Sequence, residues 1–304
     1  MVANWNQSPY LHRIIFYNRV NQNIVMSVND TSLINSEGTF VMPEVMGILN
    51  VTPDSFSDGG KFFSTNDALT QVEQMIEQGA SIIDIGGEST RPGAVEVSIH
   101  DEINRVIPLL KAIKQRFNIQ VSIDTSKAQV MAEAIAYDAD IINDVRALQN
   151  EGCLDVLAQS NVPVCLMHMQ GLPRTMQVAP KYENLIEDIK SFFEQRILAC
   201  EQAGINKKRI ILDPGFGFGK TLEQNYQLLA HLSAFDCFKL PLLSGTSRKS
   251  MIGNLLNRPV DERLAGSLTT AIVAAQQGAS IIRVHDVKET VDALKVLQAL
   301  AVNR

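Results

Sequence analysis

VMGILNVTPDSFSDGG (45–60) opens on a run that stays apolar through Leu49 and turns polar at Asn50. A short apolar run without alternation suits a strand covered on both faces, as in parallel sheets. An open doubly wound sheet normally follows its first strand with G-x-G-x-x-G to seat a dinucleotide. Asn50-Val51-Thr52-Pro53 stands there instead, which favours a closed barrel over the open sheet.

Seven further runs repeat the pattern: SIIDIGG (81–87), VSIDTS (121–126), DIINDV (140–145), PVCLMHM (163–169), IILDPG (210–215), PLLSGTS (241–247) and SIIRVHD (280–286). Their starts advance by about 34 residues per step, the pitch of a strand plus a returning helix. Helical periodicity fills the gaps, as in NDALTQVEQMIEQGA (66–80), DEINRVIPLLKAIKQRF (101–117), YENLIEDIKSFFEQRILACEQAG (182–204) and DVKETVDALKVLQALAV (286–302), where apolar residues recur at i, i+3, i+4 and i+7. The expectation is an α/β protein, a (β/α)₈ TIM barrel over residues 41–304, preceded by an accessory segment, 1–40, rich in Asn, Ser and Thr. A strand or hairpin closing the barrel floor is the expected role of that segment.

Composition narrows the function classes. With 45% apolar and 20% charged residues in 304, a disordered chain and a membrane bundle are both excluded. Thirty-three acids against 27 bases give a net charge of −6, which argues against a broad basic face for nucleic acid or anionic lipid. The four cysteines are widely spaced, with no C-x-x-C, so neither a structural zinc site nor a disulfide framework is suggested. No apolar run approaches the ~20 residues of a membrane span, and MVANWNQSPYLHR does not read as a secretory signal. A cytoplasmic protein is expected.

Polar residues cluster where the runs end: Asn50, Asp84, Glu88, Asp124, Asn143, His168, Asp213, Ser247-Arg248-Lys249-Ser250, Arg283 and His285. In a (β/α)₈ barrel the strand C-termini and following loops form the active face. One such residue is as well read as a structural hydrogen bond. A whole ring of them, dehydrated at an apolar mouth, calls for a ligand. His168 is read as a packed, hydrogen-bonded residue rather than a catalytic base. The run IILDPGFGFGKT (210–221) fails as a phosphate-cradling loop, because the glycine that G-x-x-x-x-G-K-[ST] requires falls on Pro214. A carboxylate beside a glycine loop carrying Phe218 suits a flat aromatic ligand better.

MGILNVTPDSFSDGG (46–60), IIDIGGESTRPGA (82–94), SIDTSK (122–127), IINDV (141–145), LMHMQG (166–171), LDPGFGFGK (212–220), SRKS (247–250) and RVHDVKE (283–289) together resemble the dihydropteroate synthase family. The resemblance implies an enzyme that condenses 6-hydroxymethyl-7,8-dihydropterin diphosphate with 4-aminobenzoate, releasing diphosphate. It assigns the pterin to Asp124, Asn143, Asp213, Lys249 and Arg283, the diphosphate to Asn50, Arg283 and His285, and a substrate-binding place to Met167. Mg²⁺ is the implied cofactor, with Asn50 as its protein ligand. Loops 51–65 and 86–98, carrying Asp58, Thr90, Arg91 and Pro92, are expected to cover the reacting carbon. Thr90, Pro92, Phe218 and Ser250 are expected around 4-aminobenzoate. Catalytic roles fall to Asn50, Asp58, Arg91, Lys249, Arg283 and His285. The family implies a homodimer, for which AGSLTTAIVAAQQGA (265–279) is a candidate contact, although burial against the barrel explains it as well. Two alternatives stay open on the residues: a pterin-dependent methyltransferase barrel, which would not need SRKS, and a catalytically silent pterin-binding or assembly protein.

Overall fold

The computed structural model describes residues 41–51, 65–89, 96–171 and 180–303. The accessory segment 1–40, residues 52–64 of the first loop and 90–95 of the second, with Asp58, Thr90, Arg91 and Pro92, lie outside those residues.

Eight strands form one parallel sheet: β1 Glu44–Asn50, β2 Ile82–Gly86, β3 Gln120–Asp124, β4 Ile141–Asp144, β5 Val164–Met167, β6 Ile210–Asp213, β7 Leu243–Ser244 and β8 Ile281–Val284. All eight fall on the runs singled out in the sequence. Their order in space is β6-β5-β4-β3-β2-β1-β8-β7. A parallel bridge from Leu212 to Leu242 joins the two edges, and Leu212 N donates to Pro241 O at 2.9 Å, so the sheet closes into the expected barrel. The seventh strand is the shortest, two residues within PLLSGTS; Pro241 has no N–H to give a ladder and Gly245 follows at once.

Among the described residues nine helices return the chain: α1 Thr65–Glu77, α2 Ile99–Arg116, α3 Ala128–Ala136, α4 Cys153–Ala158, α5 Leu185–Gln202, α6 Leu222–Ala230, α7 Ser250–Leu256, α8 Leu264–Gln276 and α9 Val287–Val302. Their starts follow local chemistry. Ser98 accepts from Asp101 N to cap α2, Asn184 caps α5, and Thr221 with Gln224 forms a full capping box on α6. Such caps contribute about 1 kcal/mol each.

Period-two alternation splits the strands into two cores. Outward residues such as Ile83, Ile85, Ile123, Leu166 and Leu212 pack with helix residues Leu110, Met131, Phe193 and Leu294. Inward residues Met46, Ile82, Ile141, Cys165, Ile211, Leu243 and Ile281 make a separate plug inside the barrel. Two residues further along the same inward face come Asp84, Asn143, Met167, Asp213 and Arg283. The apolar plug is thus the floor of a polar mouth.

Candidate active site

Arg283 is the hub of the mouth. Its Nε donates to Asp84 Oδ2 at 2.7 Å and its Nη2 to Asp124 Oδ2 at 3.1 Å. Asn143 Nδ2 reaches the same Asp84 carboxylate at 3.4 and 3.5 Å. Asn50 and Asp124 flank Gly86 in the ladder, and a Cβ on that glycine would sit 3.4 Å from Asn50 Oδ1. Burial pushes the Asp124 carboxyl up to about 7; the Asp84 charge adds to this, and Arg283 opposes it. Arg283 is itself held above its ordinary value, because the charges of Asp84 and Asp124 outweigh the burial that would lower it.

Across the mouth stands Asp213, buried at the end of β6. Gly215 N donates to its Oδ1 at 2.7 Å and fixes the plane of the carboxylate. Burial raises its pKa, while Lys249, the Gly215 N–H, Lys220 and Arg283 pull the other way. Met167 pairs with it in the β5–β6 ladder. Lys249 stands at the N-cap position of α7 and its ammonium donates to Phe216 O at 2.6 Å, 4.7 Å from the centroid of the Phe218 ring. Ser250, the first residue of α7, is exposed. His285 follows β8, its Nδ1 3.1 Å from Ser247 Oγ.

The glycine loop owes its composition to a close approach. Gly215, at φ 73°, would bring a Cβ to 1.9 Å from His168 O. Gly219, at φ 67°, would bring one to 2.5 Å from Gln170 O. Only glycine meets both demands. Lys220 then turns inward rather than toward a phosphate, donating to Gly215 O at 2.8 Å and Phe218 O at 3.2 Å and lying 3.0 Å from His168 Nδ1. His168 is buried against Tyr182 and Phe192; burial, with Lys220 beside it, takes its imidazole down to about 2. It stays neutral and serves as a packed acceptor.

Of the residues singled out in the sequence, Asn50, Asp124, Asn143, Met167, Asp213, Phe218, Lys249, Arg283 and His285 converge on this mouth. Two participants have no role assigned by the sequence. Asp84 shares the inward phase of Ile82, which is a usable signal. The inward turn of Lys220 has none, since lysine after a glycine loop normally points to solvent or a ligand.

The free site has a stability signature. Burial takes Lys220 down to about 7, with Lys249 adding to the fall and Asp213 opposing it. Burial likewise takes Lys249 down to about 8, with Asp213 opposing and Arg283 adding. Both folded values lie below the ordinary lysine value of 10.5. Above pH ~7 the unfolded chain therefore binds more protons, so stability of the substrate-free protein should rise until thiols begin to ionise near pH ~8.5. Urea midpoints are expected to be higher at the upper end of that window, and a flat or falling midpoint would contradict the burial of the two ammonium groups.

Comparison with known proteins settles the family. Residues 46–285 match the family model described as pterin binding enzyme. The dihydropteroate synthase of Escherichia coli (strain K12) is 59% identical over 257 residues, covering 84% of this chain and 91% of that one. The chain belongs to the dihydropteroate synthase family. Among solved structures, the Yersinia pestis dihydropteroate synthase in a sulfonamide drug complex superposes with a TM-score of 0.83 at 56% identity, covering 86% of this chain and 95% of that one. The Xanthomonas albilineans dihydropteroate synthase with 4-aminobenzoic acid gives 0.80 at 46% identity, covering 88% and 97%. The barrel of this dihydropteroate synthase family member is therefore an enzyme scaffold.

Proposed function

We propose that the chain is a dihydropteroate synthase acting on 6-hydroxymethyl-7,8-dihydropterin diphosphate and 4-aminobenzoate. The observation that carries the reading is the facing pair at the mouth: an oriented, buried Asp213 on one wall and an Arg283–Asp124–Asn143 cluster on the other. We assign a flat heterocycle to the space between them. Its N3–H and 2-amino group donate side by side to Asp213, while Asn143 and Asp124 meet the remaining ring nitrogens and Lys249 meets the ring acceptors. Met167 lies beside the ring.

The bond from the pterin methylene to oxygen breaks, diphosphate leaves, and the aryl amine bonds to the methylene carbon with loss of a proton. The electron-rich ring stabilises the carbon as the leaving group departs, so the protein's task is to hold anion, ring and amine and keep water away. Arg283 and His285 face the diphosphate. Phe218, Ser250, Thr90 and Pro92 are assigned to 4-aminobenzoate, and Asp58 and Arg91 to the covered state of the reacting carbon.

Mg²⁺ belongs to the same proposal. Among the described residues no group of three or more His, Cys, Asp or Glu forms a metal cage, and Asn50 offers one neutral oxygen at the end of β1. That donor set fits an ion arriving on diphosphate oxygens and taking one protein ligand, as Mg²⁺ does elsewhere. When bound, the ion neutralises charge on the departing diphosphate.

We also propose a cytoplasmic homodimer. No described helix is long and apolar enough to cross a membrane, and all four cysteines are free. Segment 265–279 turns Ser267, Thr270, Ala271, Ala274 and Ala275 inward along α8, so a second copy that met this segment would meet its opposite face.

Incubation with the pterin diphosphate, labelled 4-aminobenzoate and Mg²⁺ is expected to yield labelled dihydropteroate and diphosphate, with chelation stopping turnover. Sulfonamides should compete with 4-aminobenzoate; binding without turnover would point instead to the silent pterin-binding reading.

A further inference from the structure

Asp84 is completely buried and stands one inward step above Ile82, so substrate at the mouth meets its neighbours before it. Its Oδ2 takes the Nε–H of Arg283 at 2.7 Å, and both its oxygens lie within 3.5 Å of Asn143 Nδ2. Arg283 is drawn from the opposite end of the described chain, 199 residues away. Directly above Asp84 on β2 is Gly86, which has no side chain to fill the space between Asn50 and Asp124.

We propose that Asp84 is a positioning residue for the reaction, holding Arg283 and Asn143 in their substrate-facing orientations without touching substrate itself. The inference rests on the dihydropteroate synthase reading. The physical case is geometric. A guanidinium is a rigid fork, and the edge that is bonded decides where the other edge points. Asp84 Oδ2 sits against the edge formed by Nε and Nη2, 2.7 Å from each, and Asp124 Oδ2 lies 3.1 Å from the same Nη2, which leaves Nη1 without a hydrogen bond among the described residues and available to an anion. A free arginine stem has rotamer entropy to lose on binding. An arginine already clamped has lost it beforehand, which is the advantage of a preorganised site. Asn143 is held in the same way, its amide N–H₂ turned to Asp84.

The test compares Asp84→Asn, which keeps shape and one acceptor, with Asp84→Ala, Arg283→Met and the Asp84→Asn/Arg283→Met double variant. Asp84→Asn is expected to lower kcat/KM for the pterin diphosphate by roughly 10²-fold, the size of effect a displaced substrate-binding group produces, with KM for 4-aminobenzoate unchanged. Asp84→Ala should be worse. The double variant should be no worse than Arg283→Met, because the two act as one unit. Additive losses, equal losses toward both substrates, or Asp84→Asn within twofold of the parent would overturn the proposal. A measurement on the unaltered protein needs no variant to fold: the Arg283 Nε–H should exchange slowly in the substrate-free state, and free exchange would equally overturn it. If the unaltered protein makes no dihydropteroate, the functional reading fails instead; if it does, these outcomes bear on Asp84 alone.

Discussion

Asp213→Ala is expected to reduce affinity for the pterin diphosphate by roughly 10²–10⁴-fold, since two charge-assisted hydrogen bonds of about 1.5–3 kcal/mol each are lost and every 1.4 kcal/mol is tenfold. The effect is concentrated there because Asp213 is the acceptor for the donor edge of the ring, and its carboxylate plane is already set by Gly215 N. The loss also propagates. Asp213 is the leading group opposing the fall in the pKa of both Lys220 and Lys249, so the variant's lysines should shed protons at lower pH still. Calorimetric titration with the pterin, without 4-aminobenzoate, isolates the first effect. Affinity within threefold of the parent protein would remove Asp213 from the pterin site. Asp213→Asn should fall between the two, because it keeps one acceptor and replaces the other with a donor that faces the ring's own donors.

Arg283→Met carries the second large expectation, and it combines stability with activity. The guanidinium bridges Asp84 and Asp124, and removing one partner of a buried charge pair typically costs about 3–5 kcal/mol because the remaining charge is left uncompensated. Two carboxylates on the adjacent strands β2 and β3 would then be left without the cation that bridges them. Asp124 already sits near 7 with Arg283 lowering it, so its value must climb further in the variant. A carboxyl whose folded value lies above its unfolded one favours the folded state only while protonated. Its penalty is therefore greatest above that folded value and fades as pH falls toward the unfolded value of 3.8. The stability deficit of Arg283→Met, read from urea denaturation, should be larger near pH ~8 than near pH ~5.5. A deficit independent of pH would mean that lost packing, and not unpaired charge, dominates. Turnover should fall by roughly 10³-fold in either case, to a residual rate that can still be measured, since the diphosphate and the ring both lose their cation.

Much of this site is legible from local pattern. Asn143, Asp213 and Arg283 each stand two residues beyond an inward isoleucine, Ile141, Ile211 and Ile281. A strand's period of two puts each of them on the same face as its isoleucine, so the sequence alone groups them together. Lys249 and Ser250 are legible for a different reason: they begin a helix directly after a strand. Phe218 can be placed on the mouth because its loop starts at the end of β6. The partnerships are not legible in this way. Nothing in SIIDIGG distinguishes an Asp84 that binds substrate from one that binds Arg283, since that pairing spans most of the chain. Lys220 misleads for the same reason. Its immediate neighbours read as a ligand loop, yet its ammonium ends on His168, 52 residues earlier.

The glycine run shows the division well. Its composition announces a tight, unusual backbone, but only the packed molecule shows that Gly215 and Gly219 are dictated by the carbonyls of His168 and Gln170 rather than by a bound phosphate. Side-chain periodicity, caps and turn residues are written within a few neighbours, so alternating strands and helices, and the kinds of polar group at each strand end, follow from the amino-acid order alone. Closure of the barrel through Leu212 and Leu242, the pairing of Asp84 with Arg283, and the burial that moves the Asp124, Lys220 and Lys249 pKa values depend on segments far apart along the chain. Those features exist only once all eight strands have met, because pairing and dehydration are properties of the assembled mouth and not of any stretch that contributes to it.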